Sequence, residues 1–411
     1  MGNNIKIKFK YKKYRIPKYC ICPACGMKQK FKKERENWKT VKDINFNNPM
    51  LLKVRVIYAK CLNTDCKVNS FRLPTPGIEK YARATERLKN EVVAGIVQDN
   101  STCPRISKRI SRSFNTTGSK STVDRWKHQE ADKYRFEDII PRLGFSGILC
   151  IDGYKPKRTG NYDLIASDGK TTRILYIDEA GGLGRGWIEE YLIKIRDFGI
   201  KPLAIIFDMA VAFPGKARKV FPGVVIQHDY FHVMKKIYWH LRNALAEYRM
   251  ELKEQGQKEE AMELWYQKWR ILKNLDKWDK IDFEFMEPLL ERYKGTVVED
   301  IVILKEQIQN IFNDSKTKQE AYERRRALID DHWEIKNEHF ANIIKFLNTS
   351  YFDYMITYLE YPELSRSGNS ETVIRVWRQM EKVRYGFKTL KGRQDHLKLY
   401  QVSKYLGGKY I

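Results

Sequence analysis

The sequence predicts a multidomain α/β protein: a mixed sheet interrupted by an all-helical insertion, preceded by a metal-binding domain and a three-helix segment. Three observations predict it. Five of the seven cysteines fall in two tight groups near the N-terminus, strand-like apolar runs alternate with helical stretches between residues 145 and 228, and a charged, tryptophan-bearing helical block fills residues 230–350. A chain of 411 residues suggests two to four domains.

Composition narrows the function. The 77 basic and 51 acidic residues leave a net charge of +26, with a pI of 9.6. Such a field attracts polyanions, nucleic acid first and an anionic membrane surface second. No apolar run reaches the roughly 18 residues that a membrane span needs, and the basic, aromatic first twenty residues do not read as a signal peptide. A cytoplasmic, nucleoid-associated protein is expected. An odd cysteine count argues against a disulfide framework.

Residues 5–19, IKIKFKYKKYRIPKY, alternate apolar and basic side chains. They read equally as an edge strand with a solvated face or as a phosphate-contacting arm. CICPACG follows, then the strand LLKVRVIYAK (51–60) running into CLNTDC. Two close cysteine pairs on separate turns can converge as four thiolates on one tetrahedral zinc. Cys22, Cys25, Cys61 and Cys66 are the expected ligands, with Cys20 spare, in a domain spanning 1–76 with its basic arm.

Residues 77–137 carry three helical stretches, 79–98, 106–114 and 121–134, with NTTGSKS between the last two and Ser121 as N-cap. Short helices with a Gly-containing turn before the last fit a helix-turn-helix. Ser121, Thr122, Arg125 and Lys127 would then face DNA. An ordinary three-helix bundle is the alternative.

From 138 to 238, GILCID, NYDLIASD and TRILYID read as consecutive strands, followed by a helix (GWIEEYLIKIRDFG), KPLAIIFDMA, a short helix and GVVIQHD. Short links imply antiparallel hairpins, and the later strand–helix–strand alternation implies parallel additions to the same sheet. This is an α/β sheet of the RNase-H-like kind. GGLGRG (181–186) has neither dinucleotide-binding nor P-loop spacing, so no nucleotide cofactor is assigned. Residues 239–362 form the helical insertion, where most of Trp239, Trp265, Trp269, Trp278 and Trp333 are expected in the core. Residues 363–411 hold a last helix and tail. Glu371 stands in the first turn of that helix, surrounded by Arg366, Arg375, Arg378, Lys382 and Arg384; Arg375 and Arg378 are further candidate DNA contacts.

Asp152 and Asp208 pose the central question. Each ends a buried apolar run, Ile148–Ile151 and Ile205–Phe207. A carboxylate there is costly unless partnered, and two on adjacent strands repel unless a cation lies between them. Mg²⁺ or Mn²⁺ suits such oxygen donors, and two ions with a third carboxylate make a two-metal phosphodiester site. Asp208 as the cap of a helix near Ala210 is the alternative, and Asp178 reads as a cap or turn residue.

In this order the motifs resemble those of a bacterial or archaeal insertion-sequence transposase with a DDE core, of the ISL-three type. The resemblance rests on CPAC and CLNTDC, FRLPTPGIEKYARATERL, CIDGYK, AIIFDMAVAFPGKARKVFPGVVIQHDYFHVMKKI and NSETVIRVWRQMEKVRYGF. It implies Asp152, Asp208 and Glu371 as catalytic acids, with Glu363 and Glu381 as alternatives for the third. It also places the pair Asp229 and His232 near the active site. The implied activity is binding of terminal inverted repeats, then cleavage and strand transfer, by a homodimer acting on double-stranded DNA. An RNase-H-like nuclease that does not join ends, or an inactive domesticated DNA-binding regulator, are the rival functions.

Overall fold

The structure is a computed structural model and describes residues 8–45, 48–114, 118–157, 161–180, 185–332, 336–364, 368–384 and 386–407. Residues 5–7 of the basic arm, 181–184 of the glycine-rich loop, Trp333 and Arg366 lie outside them. The chain forms two compact units: Met1–Leu143 with Pro156–Gly160 and Val376–Ile411, and Gly144–Lys155 with Asn161–Arg375.

In the first unit, β1 (Lys8–Lys12) lies parallel to a long strand, and a hairpin of β2 (Tyr19–Ile21) and β3 (Lys28–Lys30) carries the first cysteines. The long strands β4 (Lys33–Asn45) and β5 (Asn48–Lys60) pair antiparallel, and β6 (Ser70–Arg72) joins β5. Leu52, Val54 and Val56 alternate inward along β5, as period-2 burial requires. Strand β4 was not expected: KERENWKTVKDIN is mostly charged, and pairing with β5 holds it extended.

Three helices follow, α1 (Glu86–Val97), α2 (Cys103–Phe114) and α3 (Lys120–Ala131), then the short α4 (Phe136–Ile139). Helix α1 begins seven residues later than its periodicity suggested, because the Thr85 side chain accepts from Leu88 N–H and caps it there. The cap of α3 is Ser119, not Ser121. Leu88, Val92, Ile96, Ile106, Ile110, Phe114 and Val123 share one core.

The second unit opens with β7 (Ile148–Tyr154), β8 (Tyr162–Asp168) and β9 (Ile174–Ala180), consecutive antiparallel neighbours as their short links predicted. After α5 (Arg185–Asp197), β10 (Ala204–Phe207) pairs parallel with β7. After α6 (Phe213–Val220), β11 (Val225–His228) pairs parallel with β10, giving the order β11-β10-β7-β8-β9. Asp178 does not cap: it sits within β9, paired with Lys194 Nζ at 2.7 Å. Asp208 does not cap α6 either, whose N-cap is Ala212.

Helix α7 (Tyr230–Glu254) leaves β11 directly and is followed, across turns, by α8 (Lys258–Ile271), α9 (Lys280–Arg292), α10 (Val297–Asn313), α11 (Lys318–Asp331), α12 (Glu338–Leu347) and α13 (Phe352–Met355). These helices share their own core, from Val233 on α7 to Met355 on α13. Three tryptophans expected inside it are exposed: Trp239, Trp265 and Trp269. Trp265 instead lies under the cations of Lys268 and Arg249. Trp278 is half-buried and donates to Lys273 O. No helix among the described residues is long and apolar enough to cross a membrane.

The chain closes with α14 (Ser370–Val383) and α15 (Leu390–Tyr405). In α15, His396 is fully buried beside Trp377 and Phe387. Burial, then Arg384 and Lys127, hold its pKa well below the ordinary value. The unfolded chain takes up this proton below about pH 6.5 and the folded one does not. Stability from this group is therefore present above that pH and lost below it. His396→Phe is expected to flatten the fall in melting temperature between about pH 7 and about pH 5; an unchanged slope would assign the acid sensitivity to other groups.

Candidate active site and metal centre

Strand register assembles the site. In the parallel pairs, Phe207 lies opposite Ile151 and also opposite His228. The next residue on each chain is Asp208, Asp152 and Asp229. Three acids therefore stand at equivalent register positions along the carboxyl edge of β7, β10 and β11, where open α/β sheets place their ligands.

Their environments differ. Asp152 is buried, and its carboxyl is pushed up to about 6, chiefly by burial, with Asp208 and Asp229 adding to the rise and His232 opposing it. Asp208 is exposed, and its Oδ1 accepts the N–H of Met209 at 2.6 Å. Asp229 is buried at the N-cap of α7, where Oδ1 accepts from Phe231 N at 3.0 Å and Oδ2 accepts from Ser370 Oγ at 2.8 Å.

His232, in the first turn of α7, lies between two of these acids. Its Nε2 is 3.8 Å from Asp152 Oδ1 and its Nδ1 is 3.7 Å from Asp229 Oδ2. Burial opposes its charge, but Asp229, Asp152 and Asp208 together raise its pKa above the ordinary value. Four residues earlier His228 behaves in the opposite way. Burial pushes it down to about 4 against the pull of Asp208, and it packs beside the rings of Phe207 and Tyr354. The neighbouring carboxylates thus favour the charged form of His232, and burial favours the neutral form of His228.

Glu371 is the second residue of α14 and is exposed; Arg375 and Arg378, four and seven positions on, share that exposed helical face. Asp152, Asp208 and Glu371 do not converge as closely as the cysteines do. Among the described residues, the group of potential ligands whose atoms all lie within 4.8 Å of one another is Cys22, Cys25, Cys61 and Cys66. Of the alternative third acids, Glu363 is exposed, and Glu381 is buried in the first unit with its carboxylate accepting the N–H of Lys157 at 3.0 Å.

A family model described as a transposase, of the DDE class and ISL3 (ISL-three) type, matches residues 149–392, more than half of the chain. The chain belongs to this transposase family. The matched span of this transposase contains Asp152, Asp208, Asp229, His232 and Glu371. Among solved structures, a Drosophila P element transposase strand transfer complex is similar at 11% identity and a TM-score of 0.44, over 77% of this chain and 92% of that one. A search of curated proteins returns no significant match.

The transposase's four-cysteine group is built by two turns. Cys22 and Cys25 flank a knuckle closed by Gly26 N–H donating to Cys22 O, with Gly26 at φ +71°, a conformation that favours glycine. Cys61 and Cys66 follow β5. The Sγ atoms of Cys22 and Cys66 are 3.9 Å apart, and those of Cys25 and Cys61 are 3.8 Å apart. A tetrahedron with Zn–S bonds of about 2.3 Å has edges of about 3.8 Å, so the donor set fits zinc in both chemistry and size. Cys20 points elsewhere, buried on β2.

On α3, Ser121 and Arg125 are exposed and Thr122 is half-buried. Lys127 corrects the sequence expectation. It shares the buried face with Val123 and Ala131, is 5% exposed, and donates from Nζ to Gly392 O of α15. A 3.6-residue period puts position 127 one turn from Val123, on the face turned away from solvent. Sequence reading also missed Gly368, Asn369 and Ser370 as site residues. The available signal was their place, a small polar run directly before the acid.

Proposed function

We propose that this transposase binds the terminal inverted repeats of its own element and catalyses metal-dependent cleavage and strand transfer on an RNase-H-like core. The observation that carries the reading is the register, which sets Asp152 and Asp208 side by side at the carboxyl edge of two parallel strands within the family-matched span. Asp152, Asp208 and Glu371 are the catalytic acids. A buried carboxyl disfavoured in its charged form, with further carboxylates beside it, is the donor set of a hard divalent cation. Two ions of Mg²⁺ or Mn²⁺ would be held there, and the chemistry they supply when bound is activation of a water or 3′-hydroxyl and stabilisation of phosphate charge. His232, whose charged form the neighbouring carboxylates favour, steadies the Asp152 carboxylate or meets a scissile phosphate oxygen, with Asp229 behind it. One zinc on the four cysteines holds the 1–76 domain, and 77–137 is a helix-turn-helix that reads the repeat. Residues 138–238 and 363–411 form the catalytic core around the 239–362 insertion. Two ends must be brought together, which favours a homodimer working in the cytoplasm on the nucleoid.

The test uses the full chain, duplex DNA carrying the inverted repeats that flank its gene, and Mg²⁺. Nicks that free 3′-hydroxyl ends, followed by joined products, are expected. Nicking without joining would indicate a nuclease, and binding without nicking a regulator.

Arg125 supplies a separate prediction. With the chain at +26, binding should weaken steeply with salt as phosphate contacts release counterions. Arg125→Ala should lower the preference for repeat over random duplex by about 1–3 kcal/mol if Arg125 pairs with a guanine. Equal weakening on both duplexes would remove α3 from the recognition role.

A further inference from the structure

The three residues before Glu371 each meet a different part of the second unit, by three different kinds of contact. Ser370 donates from Oγ to Asp229 Oδ2 at 2.8 Å, with both residues buried. Asn369 donates from Nδ2 to Gly169 O, in the turn between β8 and β9. Gly368 lies against the strands themselves: a Cβ there would come within 3.0 Å of Cys150 Sγ on β7 and 3.3 Å of Ile206 Cγ2 on β10. Those are the strands that carry Asp152 and lead into Asp208. The tripeptide therefore touches β7, β10, the end of β11 and the turn after β8 within one short run.

We propose that Gly368–Asn369–Ser370 is a positioning clamp that seats the start of α14, and Glu371 with it, and that Asp229 is the clamp's receptor rather than a metal ligand. This rests on Glu371 being the third acid and deepens that reading. Both carboxylate oxygens of Asp229 are already engaged within the fold. Oδ1 is used by Phe231 N–H in capping α7, and Oδ2 is used by Ser370 and faces His232. A charge-assisted hydrogen bond in dry surroundings is strong and directional, so it holds the residue beside Glu371 to a narrow set of positions. The sequence requirements differ at each point: no side chain at 368, an amide at 369 and a hydroxyl at 370.

Ser370→Ala and Ser370→Thr in the full chain test the clamp, with Gly368→Ala as a second route that keeps the hydroxyl. Misplacing a catalytic group by about 1 Å costs up to about 100-fold. Ser370→Ala should therefore slow single-turnover cleavage of a repeat-end duplex by about 10- to 100-fold, leave KM for DNA unchanged, and raise the Mg²⁺ needed for half-maximal rate. Ser370→Thr should recover most of the loss. In the metal-free protein, amide exchange over residues 371–375 should quicken in Ser370→Ala and Gly368→Ala while β7 and β10 keep their protection. Wild-type rate, Mg²⁺ dependence and exchange in Ser370→Ala would overturn the clamp. So would calorimetry with Mn²⁺ in which Asp229→Asn abolishes binding while Ser370→Ala leaves it unchanged. If Asp152→Asn is inactive and Ser370→Ala is normal, only the clamp is wrong. If Asp152→Asn stays active, the catalytic reading fails, and the exchange measurement alone then decides whether Ser370 anchors α14.

Discussion

Asp152→Asn is expected to lower magnesium-dependent cleavage and joining by roughly 10⁴-fold or more, and Asp208→Asn and Glu371→Gln to do the same. Groups that act as one unit fail together, so a double variant should be little worse than a single one. Folding should respond differently. Burial and the neighbouring acids raise the Asp152 pKa above its unfolded value, so its ionised form costs the native state stability at neutral pH. Asparagine carries no charge, so the metal-free melting temperature should hold or rise. Repeat-DNA binding should persist in all three. A steep fall in melting temperature would mean that lost activity reflects lost structure. Activity in Glu371→Gln with none in Glu363→Gln or Glu381→Gln would move the third acid, and activity in every variant would end the three-acid mechanism.

Replacing Cys22 and Cys61 together by serine is expected to remove about one zinc per chain and unfold the surrounding hairpins. The local core explains the size of the effect. It consists of Cys20, Cys22, Ile57, Ala59, Cys61, Phe71 and Leu73, so two of its buried residues are themselves candidate ligands. So small a core buries too little apolar surface to hold its turns alone. A structural zinc contributes about 10–16 kcal/mol in comparable small domains, more than such a core supplies. Metal analysis of the purified chain, followed by limited proteolysis of residues 1–76 with and without chelator, checks this. A zinc-free protein whose N-terminal region resists protease as well as the untreated one would remove the metal from the account.

Much of this was legible because short-range pattern and chemistry coincide. Apolar runs ending in an acid announced β7 and β10, and cysteine spacing announced four thiolates that the structure brings within 4.8 Å of one another. Strand β4 was not legible, because its extended form comes from hydrogen bonds to β5 and not from its own charged side chains. Nor was the exposure of Trp265 and Trp269. Their spacing shows that they share a face but not which way the face turns, and the core of α8 is built instead on Ala261, Leu264 and Ile271. Lys127 reads as a DNA contact by charge and is withdrawn by its phase on α3.

The acids that follow the apolar runs, the four thiols and the basic charge could be read from the chain alone, since these are local properties of composition and order. That Asp229 falls level with Asp152 and Asp208, and that Ser370, 141 positions downstream of Asp229, reaches its carboxylate, came from the folded chain. Parallel register and a contact between distant segments depend on how helices and strands pack, and no window of sequence contains both partners.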